Sequence, residues 1–203
     1  MTRVREILVA TANEGKIREI EKIVEEMGGV RLLSLKNFPG LTPPEETGES
    51  FEENARIKAL YYSSRAGVPA VAEDSGLVVD ALDGAPGIYS SRFAGPQASD
   101  DENIDKLLEE LSGKTRPWKA RFVCVAVCAD GGEIVATAEG ILEGEIIPER
   151  RGTGGFGYDP VFFLPDEGRA AAELTLEEKN RISHRRKAFE TLFRLLREKR
   201  FLG

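Results

Sequence analysis

Trp118-Lys-Ala-Arg-Phe-Val-Cys-Val-Ala-Val-Cys-Ala129, then Asp130-Gly131-Gly132, then Ile134-Val-Ala-Thr-Ala-Glu-Gly-Ile-Leu-Glu-Gly-Glu-Ile-Ile147, decide the fold class of this chain. Both runs are rich in residues that pack well on a pleated surface, and Asp-Gly-Gly is a tight-turn signature, so the pair predicts a long antiparallel hairpin. Upstream the pattern differs. Glu6 to Ala10 reads as a short buried strand that breaks at Thr11-Ala-Asn-Glu-Gly15, after which Ile17, Ile20, Ile23, Val24 and Met27 recur at helical spacing up to Gly28-Gly29. Strand, loop and helix at the start, with a hairpin later, predict an α/β fold on a mixed central sheet.

Working outward, Val30 to Ser34 predicts a second strand, and Asn37 to Glu49, rich in Pro, Gly and Glu, a loop. Ser50 and Glu53 have the form of a capping box, opening a helix that runs to about Ala66 with Gly67 as its stop. Val68 to Ala72 predicts a strand that delivers Glu73-Asp74-Ser75-Gly76 at its end, with another strand from Leu77 to Leu82. Ser99 and Glu102 form a second box, opening a helix through Leu107, Leu108 and Leu111 to Gly113. After the glycine-rich stretch 151–160 come a short Val161–Leu164 strand and a closing helix from about Ser183, with Ala188, Leu192, Leu195 and Leu196 as its apolar stripe. No repeat, low-complexity segment or linker interrupts the 203 residues, which are read as one domain.

Hydrophobic residues make up 41% of the chain, enough for one substantial core. No run approaches the roughly 18 to 20 consecutive apolar residues of a membrane span, and Met1-Thr2-Arg3-Val4-Arg5 leads into a strand rather than a signal peptide, so a cytoplasmic protein is expected. With 35 acidic against 28 basic residues, the net charge of −7 argues against binding a nucleic-acid backbone. Any phosphate must be met locally. Cys124 and Cys128 lie about 13 Å apart along one strand, too far for a disulfide or a shared metal, and read as small core residues.

Several segments carry chemistry. Thr11-Ala12-Asn13-Glu14-Gly15-Lys16 lies between a strand and a helix N-terminus, where free amides, the helix dipole and the lysine suit a phosphate; it lacks the Walker A pattern and also reads as an ordinary turn. Lys58 shares a helix stripe with Phe51, Ala55 and Tyr62, where it either meets an anion or snorkels to solvent. Glu45-Glu46 and Glu73-Asp74 supply hard oxygen ligands of the kind magnesium uses together with substrate phosphates, or are simply solvated. Gly152-Thr-Gly-Gly-Phe-Gly157 matches G-x-G-x-x-G. Tyr158-Asp159-Pro160 and the β-rich residues after it oppose the helix a dinucleotide fold would need, so the glycines admit a flat ligand beside Phe156 or form a tight structural loop. Ser183-His184-Arg185-Arg186-Lys187 puts the single histidine and three further cations at a helix N-terminus, where the dipole disfavours them. That broken rule marks a site, unless the helix starts at the Thr175–Glu178 capping box and the basic run lies on a solvated face.

Six segments in order, at 11–16, 45–58 (Glu-Glu-Thr-Gly-x-Ser-Phe-x-Glu-Asn-Ala-x-x-Lys), 73–76 (Glu-Asp-Ser-Gly), 84–90 (Gly-Ala-Pro-Gly-Ile-Tyr-Ser), 152–160 (Gly-Thr-Gly-Gly-Phe-Gly-Tyr-Asp-Pro) and 183–185 (Ser-His-Arg), resemble the inosine/xanthosine triphosphate pyrophosphatase family, also called Ham1-like. The resemblance covers essentially the whole chain. It implies an elongated mixed sheet with flanking helices, two lobes sharing that sheet around a substrate cleft, a homodimer, magnesium dependence, and hydrolysis of ITP, dITP and XTP to monophosphate and pyrophosphate. It also implies roles. Thr11 to Lys16 and Lys58 hold the triphosphate, Glu46 and Asp74 the metal, Asp74 is the base that orients or deprotonates water, and Ser75 touches substrate. Phe156, Gly157, Tyr158, Asp159, Lys179, His184 and Arg185 surround nucleoside and base, and Arg92 is a further phosphate candidate. Many members have Asp-Asp-Ser-Gly where this chain has Glu73-Asp74. A non-catalytic nucleotide-binding module would carry the same loops without activating water, and a dinucleotide-binding oxidoreductase would bind NAD(P).

Overall fold

The computed structural model describes residues 5–202. The expectation about the leading residues falls on Met1 to Val4 and lies outside them. Seven strands, β1 (Arg5–Val9), β2 (Val30–Ser34), β3 (Ala70–Val79), β4 (Trp118–Asp130), β5 (Glu133–Ile146), β6 (Phe162–Leu164) and β7 (Arg169–Ala170), form one sheet in the order β2-β1-β3-β4-β5-β6-β7. β1 runs parallel to β2 and β3, whereas β5–β6 and β6–β7 are antiparallel, so the sheet is mixed as expected. β4 and β5 are neighbours joined by Gly131-Gly132 alone, with φ of 57° and 85°. Two consecutive left-handed residues are what a type I′ hairpin turn requires.

Five helices flank the sheet: α1 (Glu14–Met27), α2 (Phe51–Ala66), α3 (Asp100–Leu111), α4 (Leu176–Ile182) and α5 (His184–Glu198). Their ends follow local capping chemistry. Asn13 Oδ1 accepts the Lys16 amide at 3.0 Å to open α1, and Gly67, at φ 67° and ψ 18°, closes α2. Full capping boxes open α3 at Ser99–Glu102 and α4 at Thr175–Glu178. The box expected at Ser50–Glu53 is only half formed. Ser50 Oγ accepts the Glu53 amide at 3.1 Å, but the Glu53 carboxylate takes the Glu49 N–H at 2.7 Å instead of that of Ser50.

The chain divides into two compact units, the first comprising the described residues of Met1–Asp74, Cys124–Gly140 and His184–Gly203, the second Ser75–Val123 and Ile141–Ser183. In the first, Ile20, Ile23 and Val24 of α1 and Phe189, Leu192, Phe193 and Leu196 of α5 pack with Ile7, Val9 and Val71 and with both cysteines. Each fully buried aliphatic here contributes about 1.5–3 kcal/mol. Gly140 in β5 lets the start of α5 approach closely, since a Cβ there would meet His184 O at 2.1 Å and Ala188 N at 2.4 Å. In the second unit, Leu77, Val79, Ile104, Leu107, Trp118, Phe122 and Phe162 form the core.

Two strand expectations are corrected. Val68–Ala72 and Leu77–Leu82 are not separate strands: β3 runs unbroken from Ala70 to Val79, and Asp80–Leu82 is a 3-10 turn. Ser75 and Gly76 stay extended within the ladder, so Glu73 and Asp74 sit in mid-strand rather than at a strand end. Nor does the first half of the basic run lie on a solvated face, although Arg186 is half-buried and Lys187 exposed. The helix at Thr175 exists as α4, but a second begins at His184, and His184 and Arg185 are 4% and 1% exposed.

Candidate active site

Consecutive residues of a strand face opposite ways, and β3 uses this to serve two charge clusters in the first unit. Glu73 shares its face with Val71, toward α1 and α5. Lys16 Nζ lies 2.8 Å from Glu73 Oε1 and Arg185 Nη2 3.7 Å from it, while the Cys124 thiol donates to Glu73 Oε2 at 3.5 Å. Arg185 also bonds the buried Glu19 carboxylate, so a chain Glu19–Arg185–Glu73–Lys16 runs inward from the Thr11–Lys16 loop. Burial pushes the Glu73 carboxyl up, but Lys16, Arg185 and Lys58 outweigh it and hold the group well below the usual carboxylate range. Glu73 is therefore held as an anion between the Lys16 and Arg185 side chains.

Asp74 faces α2. Lys58 Nζ donates to Asp74 Oδ1 at 3.2 Å and pairs with Glu46 Oε1 at 3.0 Å, and Asn54 Nδ2 donates to Asp74 Oδ2 at 3.4 Å. Lys58 thus meets an anion rather than snorkelling, and the polar stripe of Asn54 and Lys58 explains why α2 buries polar groups beside Ala55, Ala59 and Tyr62. Burial pushes the Lys58 ammonium down, yet Asp74, Glu73 and Glu46 more than restore it, and its pKa is raised. Burial also raises the Asp74 carboxyl, which Lys58 and Lys16 only partly offset. A carboxylate made more basic this way is suited to accepting a proton.

The Thr11–Lys16 loop carries its own supports. Thr11 Oγ1 accepts the Asn13 amide at 3.2 Å, and Asn13 caps α1. Ala12, Asn13 and Glu14 are exposed and Gly15 is buried, so the positive end of a 14-residue helix opens outward beside Lys16.

The second unit holds the glycine-rich loop. Asp159 and Lys179, 2% and 3% exposed, pair at 2.5 Å. Asp159 Oδ2 also accepts the Phe156 amide at 2.9 Å, and Lys179 Nζ lies 4.7 Å from the Phe156 ring centre. Gly155, at φ 73°, has no room for a Cβ, which would stand 2.0 Å from Asp159 Oδ2. The Gly157 amide donates to Asp100 Oδ2 at 2.6 Å, and the Tyr158 hydroxyl to Ser90 O at 2.8 Å. Ser75, half-buried, follows Asp74 in β3, and Arg92 lies 5.2 Å over the Tyr89 ring.

The structure thus gathers Lys16, Lys58, Glu46, Asp74 and Arg185 in one unit, and Phe156 to Asp159 with Lys179 in the other. Sequence reasoning missed Glu19, Asn54, Asp100 and Cys124. Asn54 was within reach, four residues before Lys58 on the same helical stripe; Glu19, three after Lys16, carried no signal of its buried partner.

For a hard cation the fit rests on Glu46 and Asp74, two carboxylates bridged by one ammonium at 3.0 and 3.2 Å. Among the described residues no group of three or more His, Cys, Asp or Glu converges on one point. Two carboxylates suit a magnesium ion whose remaining ligands are water and substrate phosphate rather than an all-protein cage.

Comparison with known proteins gives the same picture across the whole chain. The Ham1 family model matches residues 7–195. A dITP/XTP pyrophosphatase of Geobacter sulfurreducens is 50% identical over 196 residues, covering 95% of each chain, and one of Halalkalibacterium halodurans is 47% identical over 191 residues, covering 93% of this chain and 97% of that one. Among solved structures, a HAM1 protein of Coxiella burnetii superposes with a TM-score of 0.87 at 41% identity, over 96% of this chain and 100% of that one. The chain belongs to the Ham1 family.

Proposed function

We propose that this protein is a magnesium-dependent pyrophosphohydrolase that cuts ITP, dITP and XTP to the nucleoside monophosphate and pyrophosphate. The observation that carries the reading is the Asp74–Lys58–Glu46 cluster, with Lys16 near enough to act on Asp74: Asp74, Lys58 and Lys16 stand on β3, α2 and α1, Glu46 on the loop before α2, and burial makes the aspartate more basic. The names borne by the close relatives support it.

Phosphoryl hydrolysis needs charge neutralisation and a positioned water more than it needs a protein nucleophile. Magnesium, held by Glu46 and Asp74, supplies charge neutralisation along the triphosphate when bound. Lys58 and Lys16 are the protein's own cations for phosphate oxygens, and the outward amides of the Thr11–Lys16 loop donate to them. Asp74 orients the attacking water and takes its proton. The water oxygen bonds to a phosphorus flanking the α–β bridge and the bridging P–O bond breaks; the leaving group that keeps the electron pair is pyrophosphate for attack at the α-phosphorus and the nucleoside monophosphate for attack at the β-phosphorus.

Ser75 touches substrate next to Asp74. Phe156 offers its ring to the base, and Gly157, Tyr158, Asp159 and Lys179 frame it. The family resemblance assigns His184 to base recognition as well, whereas we assign Arg185 to holding Glu73, and through it Lys16, because both its carboxylate partners are buried with it. On the family resemblance the protein is a cytoplasmic homodimer, and the net charge of −7 favours free nucleotides over nucleic acid as ligands.

The test is pyrophosphate detection on mixing the protein with ITP and magnesium, against ATP and an EDTA control. Pyrophosphate and IMP in equal amounts, lost with EDTA, are expected. Binding without turnover would make the protein a nucleotide-binding module instead.

A further inference from the structure

We propose that Asp100 is a positioning residue for nucleobase recognition, its carboxylate fixing the turn that carries Phe156 through the amide of Gly157. The inference rests on the pyrophosphohydrolase reading and extends it to a residue outside the recognition loop.

The backbone on either side of an aromatic residue decides where its ring points. The peptide before Phe156 is held by Asp159, whose Oδ2 accepts the Phe156 N–H at 2.9 Å. The peptide after it is held by Asp100, whose Oδ2 accepts the Gly157 N–H at 2.6 Å. With both amides pinned by carboxylates, the φ and ψ of Phe156 are fixed from both ends. The ring is then kept where Lys179 Nζ lies 4.7 Å from its centre. Gly157 itself sits at φ 60°, a left-handed conformation with no side chain to restrain it, so an external acceptor has a specific task there.

Asp100 is well placed for that task because its own element is rigid. It is the first residue of α3, directly after the N-cap Ser99 and inside the Ser99–Glu102 capping box. Arg150 braces the same turn, donating to Asp101 O at 3.2 Å and to Asp105 Oδ1 at 2.8 Å. Asp100 also lies near enough to Tyr158 to push its phenol up, second to burial. The competing role is helix stabilisation, since any acid in a first helical turn favours the dipole. Asp101 separates the two: it occupies the same turn with its side chain 83% exposed, and its carboxylate meets Arg150, not the loop.

The experiment is steady-state pyrophosphate release with magnesium, for ITP and ATP, on the wild type, Asp100→Ala, Asp100→Asn and Asp101→Ala. A wild type that releases no pyrophosphate from ITP defeats the proposed activity and is recognised before any variant is compared. With an active wild type, Asp100→Ala should raise KM for ITP roughly 10- to 150-fold, the scale of a hydrogen bond to a charged acceptor, with kcat within about threefold. The ITP-to-ATP ratio of kcat/KM should narrow by a similar factor. Asp100→Asn keeps an acceptor oxygen and should restore both to within about threefold, while Asp101→Ala should match the wild type. Should Asp100→Ala melt below the assay temperature, Asp100→Glu, which keeps the charge but displaces the carboxylate by a methylene, carries the same comparison. Wild-type KM and selectivity in folded Asp100→Ala or Asp100→Glu, or equal losses in Asp100→Ala and Asp101→Ala, would overturn the proposal.

Discussion

Replacing Arg185 with Met keeps most of the side-chain volume while deleting the guanidinium that joins Glu19 to Glu73. The three side chains are 1%, 2% and 1% exposed, so water cannot take over the lost interaction. Glu73 retains Lys16 at 2.8 Å; Glu19 loses its guanidinium partner inside the core. Breaking a buried pair by removing one partner costs about 3–5 kcal/mol, chiefly through the charge left behind. At roughly 2–4 °C per kcal/mol for a chain of this size, the melting temperature should fall by about 6–20 °C. Urea unfolding followed by circular dichroism measures the cost directly, and an unchanged m-value shows that the same surface is exposed. Adding Glu19→Gln removes the carboxylate charge that faced the guanidinium, so the double variant should be more stable than the sum of the two single losses by about 2 kcal/mol. Because Glu73 also grips Lys16, kcat/KM should drop by the same factor for ITP and ATP. A stability within about 1 kcal/mol of wild type would refute the buried-charge reasoning. A loss confined to ITP would instead make Arg185 a reader of the base, the role the family resemblance implies.

Asp74→Asn should preserve the fold, since the amide still accepts from Lys58, and lower kcat by roughly 10² to 10⁴; near wild-type turnover would remove Asp74 from catalysis. Lys58→Met and Lys16→Met should each weaken kcat/KM by an amount equivalent to about 1–3 kcal/mol, the range for charge-assisted hydrogen bonds, and wild-type kinetics in both would show that neither meets phosphate. Both cysteines are fully buried; burial, with help from Asp130, pushes the Cys128 thiol up to about 12, and burial followed by Glu73 pushes that of Cys124 well above its ordinary range. An aromatic disulfide reagent should therefore react with neither in the native protein and with both in urea, and rapid labelling of one in the native state would contradict their packing.

Features set within one turn of chain were legible from residue identities: the caps at Ser99 and Thr175, the stops at Gly28 and Gly67, and the Gly131-Gly132 hairpin turn each depend on neighbours three or four residues away. The middle of β3 was not. Ser75-Gly76 is compatible with a turn or with extended backbone, and only pairing with neighbouring strands selects the second. Once the strand is continuous, alternation alone sends Glu73 and Asp74 to opposite faces, and the paired carboxylates of the sequence become one structural anion and one candidate base.

The basic segment at His184 shows how a broken local rule can be informative even when its explanation lies elsewhere in the chain. Cations in the first turn of α5 oppose the helix dipole, and that turn holds no acidic residue to offset them. Such an arrangement persists only if carboxylates arrive from other elements. They do: Arg185 meets Glu19 of α1, 166 residues away, and Arg186 meets Glu26 of the same helix at 2.5 Å. The second pair is partly exposed and contributes on the order of 1 kcal/mol or less, so it does not account for keeping the cations there. The Arg185 pair is fully desolvated, and a buried ion pair is seldom retained for stability alone, since apolar residues of similar volume do as well or better. On the proposed function its retention follows from what Glu73 does next: held from behind by Arg185, it presents a fixed carboxylate to Lys16 at the mouth of the α1 loop, the lysine we propose as a phosphate ligand.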